Sequence, residues 1–143
     1  MSGGVCGSRR SPSRRSNIDR NRLVGRSGEE ASGERTLAFF IAHEITHSLE
    51  ANYLGRYAYW RLPVWKREGY ADYVARGADF HFQEQLAAFQ RNARETDFER
   101  SGLYLRYQLL VAHLLDNRRI TPEVLLREPF NQDSLERELR GMK

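Results

Sequence analysis

Two histidines four residues apart, within His43-Glu44-Ile45-Thr46-His47, carry the clearest chemical signal in the chain. Side chains at i and i+4 lie one above the other on one face of an α-helix. Two imidazoles so placed can reach a single metal ion at about 2 Å each. Glu44 then falls beside the ion, where a carboxylate is the usual general base for a metal-bound water. By ordinary residue frequencies this five-residue pattern arises by chance in roughly fewer than one chain of this length in a hundred.

A catalytic zinc needs three protein ligands and an open position for water. Glu68, 21 residues after His47, is the candidate third ligand, within Trp65-Lys66-Arg67-Glu68-Gly69-Tyr70-Ala71-Asp72-Tyr73. Two neighbours set it apart from a solvated helix carboxylate. Gly69 weakens a helix by about 1 kcal/mol, so its presence predicts close approach of a backbone or a ligand. Asp72 lies one turn after Glu68 on the same face, where two carboxylates repel unless something positive lies between them. A metal together with a histidine N–H would supply that. Asp72 can then accept the distal ring N–H of a ligating histidine and fix its tautomer. Cys6 is the only cysteine, so any metal site must use histidine and carboxylate.

The elements that must hold these residues are helical. Leu37, Ile41, Ile45 and Leu49 recur every four residues as an aliphatic stripe, and Phe39 and Phe40 make the first half apolar nearly all round. That pattern predicts a buried helix starting near Ser32 to Glu34 and ending around Asn52 to Gly55. Arg56 to Leu62 reads as aromatic and irregular. A second helix is expected over Val64 to Arg76, with Pro63 at its start and Gly77 at its stop. A third is expected over Asp79 to Arg94, a fourth over Leu103 to Asn117, and a short fifth from Thr121-Pro122. Asp133 or Ser134 can cap a last helix that Gly141 closes. No stretch reads as a convincing strand. His81 and His113, alone on mostly apolar helices, read as structural.

The pairing of His43-Glu44-Ile45-Thr46-His47 with Glu68 resembles the gluzincin metallopeptidases, in which a helical His-Glu-x-x-His is followed about twenty residues later by a zinc-binding Glu. Pro63-Val64-Trp65 leading into Glu68-Gly69-Tyr70-Ala71-Asp72-Tyr73 is similar to uncharacterised bacterial peptidases of the MA-like superfamily and to the Trp-x-x-Glu-Gly segment of M1 aminopeptidases. The resemblance covers Thr36 to about Leu126. It implies one zinc per chain on His43, His47 and Glu68, with Glu44 as base, Asp72 behind a ligand, and a peptide or protein as substrate. It also implies a tyrosine opening a later helix to stabilise the oxyanion; Tyr104 is the better match and Tyr107 the substitute. The implied fold is a mostly α, zincin-like catalytic core. Zincins place a small sheet ahead of the His-Glu-x-x-His helix, and the 33 residues there do not read as strands. A core lacking the upstream sheet is therefore expected. The aminopeptidases' Gly-x-Met-x-Asn motif is absent. The alternative reading is a zinc-binding but non-catalytic peptidase-like domain that acts as a binding module.

Charge divides the chain in the same place. Of the 23 Lys and Arg and 19 Asp and Glu, seven arginines and three carboxylates lie in residues 1–33, and the remainder balances. Residues 1–33, rich in Ser, Gly and Arg, read as a disordered basic tail, and 34–143 as the catalytic core. The arginine pairs of the tail predict no specific nucleic-acid site. No stretch approaches membrane-spanning length and the start lacks the apolar centre of a secretory signal, so the chain reads as soluble. Oligomeric state and compartment have no signal in the sequence.

Overall fold

Gly55, Pro63 and Gly77 fix where the first long helices stop and start. In the computed structural model, which describes residues 15–24 and 36–142, helix α1 (Leu37–Leu54) ends at Gly55, whose φ of 83° is open to glycine at little cost. A six-residue helix, α2 (Arg56–Arg61), follows where the sequence reads as irregular. With breakers on both sides, it is too short to show a period. Leu62 turns extended ahead of Pro63, as a residue before proline must. Helix α3 (Val64–Arg76) then runs to Gly77, as its punctuation predicts.

The chain is mostly α-helical and divides into two units, Met1–Ala38 and Phe39–Lys143. Within the first, β1 (Arg15–Asn17) and β2 (Arg22–Val24) pair antiparallel, with Ser16 opposite Leu23. Three residues per strand give no alternation to read, so this hairpin corrects the tail reading and the absence of strands over 15–24. The other residues of the expected tail lie outside those described. The hairpin turn also caps α1. Asn21 accepts the Leu37 N–H at its carbonyl (3.0 Å) and the Ala38 N–H at Oδ1 (2.8 Å), satisfying two otherwise orphaned donors.

The second unit is built on α3 and α6 (Leu105–Ala112), which pack on each other more extensively than any other pair of elements. Helices α4 (Phe82–Gln90), α5 (Phe98–Ser101), α7 (Pro122–Arg127) and α8 (Gln132–Gly141) complete it. The core joins Trp65, Leu86, Phe89, Leu109, Leu110, Val111, Leu114, Leu125, Leu135 and Leu139. Each large side chain there contributes about 1.5–3 kcal/mol from burial. Past Ala112, His113–Asn117 continues as a π-helical turn, so the expected fourth helix changes pitch rather than ending. Thr121 caps α7 through Oγ1, as expected, whereas Asn131 rather than Asp133 or Ser134 caps α8. The third helix is shorter than expected at both ends: Gly77–Asp79 forms a separate 3-10 turn, and the chain leaves the helix after Gln90, with Asn92 at a φ of 54°.

Gly69 lies at the closest approach of α3 to α6. A Cβ there would stand 2.6 Å from the Tyr107 carbonyl oxygen, well inside van der Waals contact. Lys66, 3% exposed, donates from Nζ to the Glu128 carbonyl and lies over the rings of Trp65 and Phe130, at 5.7 and 5.2 Å.

The buried face of α1 is Phe39, His43, Thr46 and Glu50, while Ile41, Ile45 and Leu49 are each more than half exposed. The aliphatic stripe is therefore the outer face, opposite to the sequence expectation. No helix among the described residues is long and apolar enough to cross a membrane.

Candidate metal centre

The polar face of α1 is buried because it meets the polar face of α3. His43 and His47 come from the first helix, Glu68 and Asp72 from the second, each pair one turn apart. His43 Nε2 stands 3.0 Å from His47 Nε2, and each lies 3.5 Å from Glu68 Oε2. Ligands about 2.0–2.1 Å from a tetrahedral ion are about 3.3–3.4 Å apart. The three donor atoms thus form a triangle of the size a single zinc requires, and among the described residues they are the group that could hold a metal. The donor set fits the ion in kind as well: two imidazoles and one carboxylate leave a fourth position open.

Each histidine is held from behind. His43 Nδ1 donates to Asp72 Oδ1 over 2.8 Å, and His47 Nδ1 donates to Glu50 Oε2 over 3.3 Å. With both Nδ1 atoms so engaged, both Nε2 atoms face the point between the helices. Arg67 Nε donates to Glu68 Oε1 (3.3 Å), leaving Oε2 toward the histidines. The Arg67 guanidinium is itself fixed over the rings of Tyr59 and Trp60, at 5.5 and 5.4 Å.

In the metal-free protein, protons on the histidines supply the positive charge that the carboxylates call for. Burial would lower the pKa of His43, but hydrogen bonds to Asp72 and Glu68 outweigh it and raise it to about 9. His47 rises to about 9 against burial through Glu50 and Glu68. Burial pushes Glu68 up, yet hydrogen bonds from the two histidines win and hold it well below the usual carboxylate range. Glu50 goes the other way, pushed up by burial and only partly offset by His47. The rise of His47 favours an ion pair with Glu50, and the rise of Glu50 opposes one. The contact of His47 Nδ1 with Glu50 Oε2 at 3.3 Å is the geometry on which both shifts depend.

Glu44, next to His43 on the helix, is exposed. Tyr104 is half-buried just ahead of α6 and stacks on Phe98 at 4.6 Å and on Tyr107 at 5.8 Å. This aromatic row lines a separate cavity of about 340 Å³ with Thr96, Asp97 and Arg106, and none of the three donors borders it. Two buried aromatics border the site: Phe39 stacks on His43 with ring centres 6.2 Å apart, and Tyr59, from α2, has its ring centre 6.2 Å from that of His47. Burial raises the pKa of the Tyr59 hydroxyl, and the carboxylates of Glu50, Glu68 and Glu44 add to the rise.

Sequence reasoning missed Glu50, Arg67 and Tyr59. Glu50 had a readable signal, since i+3 from His47 returns to the ligand face. The other two have none beyond adjacency to the motifs. His113 is a satisfied core histidine as expected, with Nε2 3.0 Å from Glu138 Oε1, whereas His81 is exposed just ahead of α4. A groove of about 360 Å³ opens beyond Glu50, lined by Thr46, Leu49, Tyr53, Tyr70 and Leu126 among others. It includes none of the three donors, so the candidate chemistry does not lie in it.

Compared with known protein families, curated proteins and solved structures, the chain shows no match.

Proposed function

We propose that this chain is the core of a gluzincin-type zinc metallopeptidase that hydrolyses peptide bonds. The observation that carries the reading is the triangle of His43 Nε2, His47 Nε2 and Glu68 Oε2, with sides of 3.0, 3.5 and 3.5 Å. The same donor types also serve non-haem iron. Glu44 favours hydrolysis, because an exposed carboxylate next to one ligand in the chain is what proton transfer from water needs. Zinc, when bound, supplies a Lewis acid that lowers the pKa of water to about 7.

The residues divide the remaining work. His43, His47 and Glu68 hold the ion, and Asp72 keeps the His43 lone pair aimed at it. The Glu44 carboxylate accepts a proton as the water oxygen bonds to the peptide carbonyl carbon. It returns that proton to the amine nitrogen as the C–N bond breaks. The placement of Tyr104 favours a second reading, in which the chain binds zinc and a partner without cleaving it.

Glu44→Gln against Glu68→Gln separates the two. Glu44→Gln should keep zinc and abolish cleavage of an unstructured test protein, and Glu68→Gln should weaken zinc itself. Equal cleavage by Glu44→Gln and the parent would remove the mechanism. A zinc-loaded parent that cleaves nothing would leave the binding module.

A further inference from the structure

We infer that Glu50 is the positioning residue of His47, fixing its tautomer and the direction of Nε2 as Asp72 does for His43. The inference rests on reading His43, His47 and Glu68 as a metal centre. Glu50 is one turn beyond His47 on α1, and its side chain is 2% exposed, as is that of Asp72. Its Oε2 accepts from His47 Nδ1, and its Oε1 has no hydrogen-bond partner among the described residues.

A glutamate almost wholly buried, with one oxygen unsatisfied, is costly to fold. Solvation and helix propensity give no reason for it, since glutamates are almost never buried unless paired. The hydrogen bond from His47 is the pairing that compensates it. A carboxylate behind an imidazole makes the far nitrogen a better donor to a cation, and that gain appears only when the cation is bound.

The two supports differ in origin. Asp72 reaches His43 from another helix, so that bond exists only when α1 and α3 are docked. Glu50 reaches His47 within α1, so this half of the site is written into one turn of helix. His43, His47 and Glu50 thus form one continuous unit of α1, with Glu44 exposed next to His43.

The test compares the parent with Glu50→Gln and Glu50→Leu in the full chain, with the exposed Glu123→Gln as control. Zinc affinity is measured by competition with a chromophoric chelator, the visible spectrum of bound cobalt reports ligand geometry, and the metal-free melting temperature reports packing. Glu50→Gln should weaken zinc at least about tenfold, and Glu50→Leu further, with altered cobalt spectra. Metal-free melting should change little, because losing the hydrogen bond to His47 opposes the relief of burying a half-satisfied carboxylate. A purely structural Glu50 would show lower metal-free melting and unchanged affinity, which would overturn the inference. An independent check needs no variant: in zinc-loaded parent labelled with ¹⁵N-histidine, His47 Nδ1 should be protonated and Nε2 metal-bound. The reverse assignment would overturn it too. A folded parent that binds no zinc defeats the metal centre itself, a different failure.

Discussion

His43 Nδ1 and Asp72 Oδ1 stand 2.8 Å apart although 29 residues separate them in the chain. Since a carboxylate only accepts, the histidine carries its proton on Nδ1 and presents Nε2 to His47 and Glu68. One bond therefore sets both the docking of α3 on α1 and the orientation of a candidate ligand.

Replacing Asp72 by Asn should expose that double duty. The amide is close to isosteric but neutral, so the support loses its charge while the space stays filled. Zinc affinity, read by chelator competition, should fall about 10- to 100-fold. An unchanged affinity would mean that Asp72 serves docking alone.

The metal-free protein should lose stability as pH rises from about 6.5 to about 9. His43 and His47 bind protons more tightly when folded, their pKa rising from 6.5 to about 9. Their contribution is complete below 6.5 and disappears as pH passes through the folded value. Zinc binding displaces those protons, so zinc affinity should rise over the same window. Thermal melts in chelator and in excess zinc should diverge with pH. Parallel curves would show that the histidines are not the coupled groups.

Gly69→Ala should destabilise the fold although alanine is the better helix former by about 1 kcal/mol. The new methyl would meet the Tyr107 carbonyl oxygen at 2.6 Å, and overpacking of this kind costs about 1–3 kcal/mol. The clash wins, and the melting temperature should drop by several degrees. A rise would show that α6 can retreat without loss.

Tyr104→Phe should leave cleavage nearly unchanged, because the ring is engaged with Phe98 and Tyr107. Losing an oxyanion donor costs about 10²–10³ in kcat. A loss of that size with zinc retained would return Tyr104 to the chemistry.

The candidate centre was legible because its spacings are helical: His43 to His47 and Glu68 to Asp72 each return to one face after four residues. The face that α1 buries was not. Periodicity found the Ile41, Ile45 and Leu49 stripe correctly, but a stripe does not say what it meets. Here the polar face is buried, since the complementary polar face of α3 brings Asp72 and Glu68 to the two imidazoles. The cap on α1 was also unreadable, because Asn21 reaches Leu37 and Ala38 from a distant turn rather than from the preceding residue.

Lys66, Arg67 and Glu68 leave α3 in successive directions, about 100° apart, and each engages a different partner. Lys66 ends under the Glu128 carbonyl, Arg67 over Tyr59 and Trp60, and Glu68 at the histidines. A helix pinned on three bearings resists rolling about its own axis, because any roll unseats all three at once. The angular setting of Glu68 is thus clocked by two neighbours on other bearings.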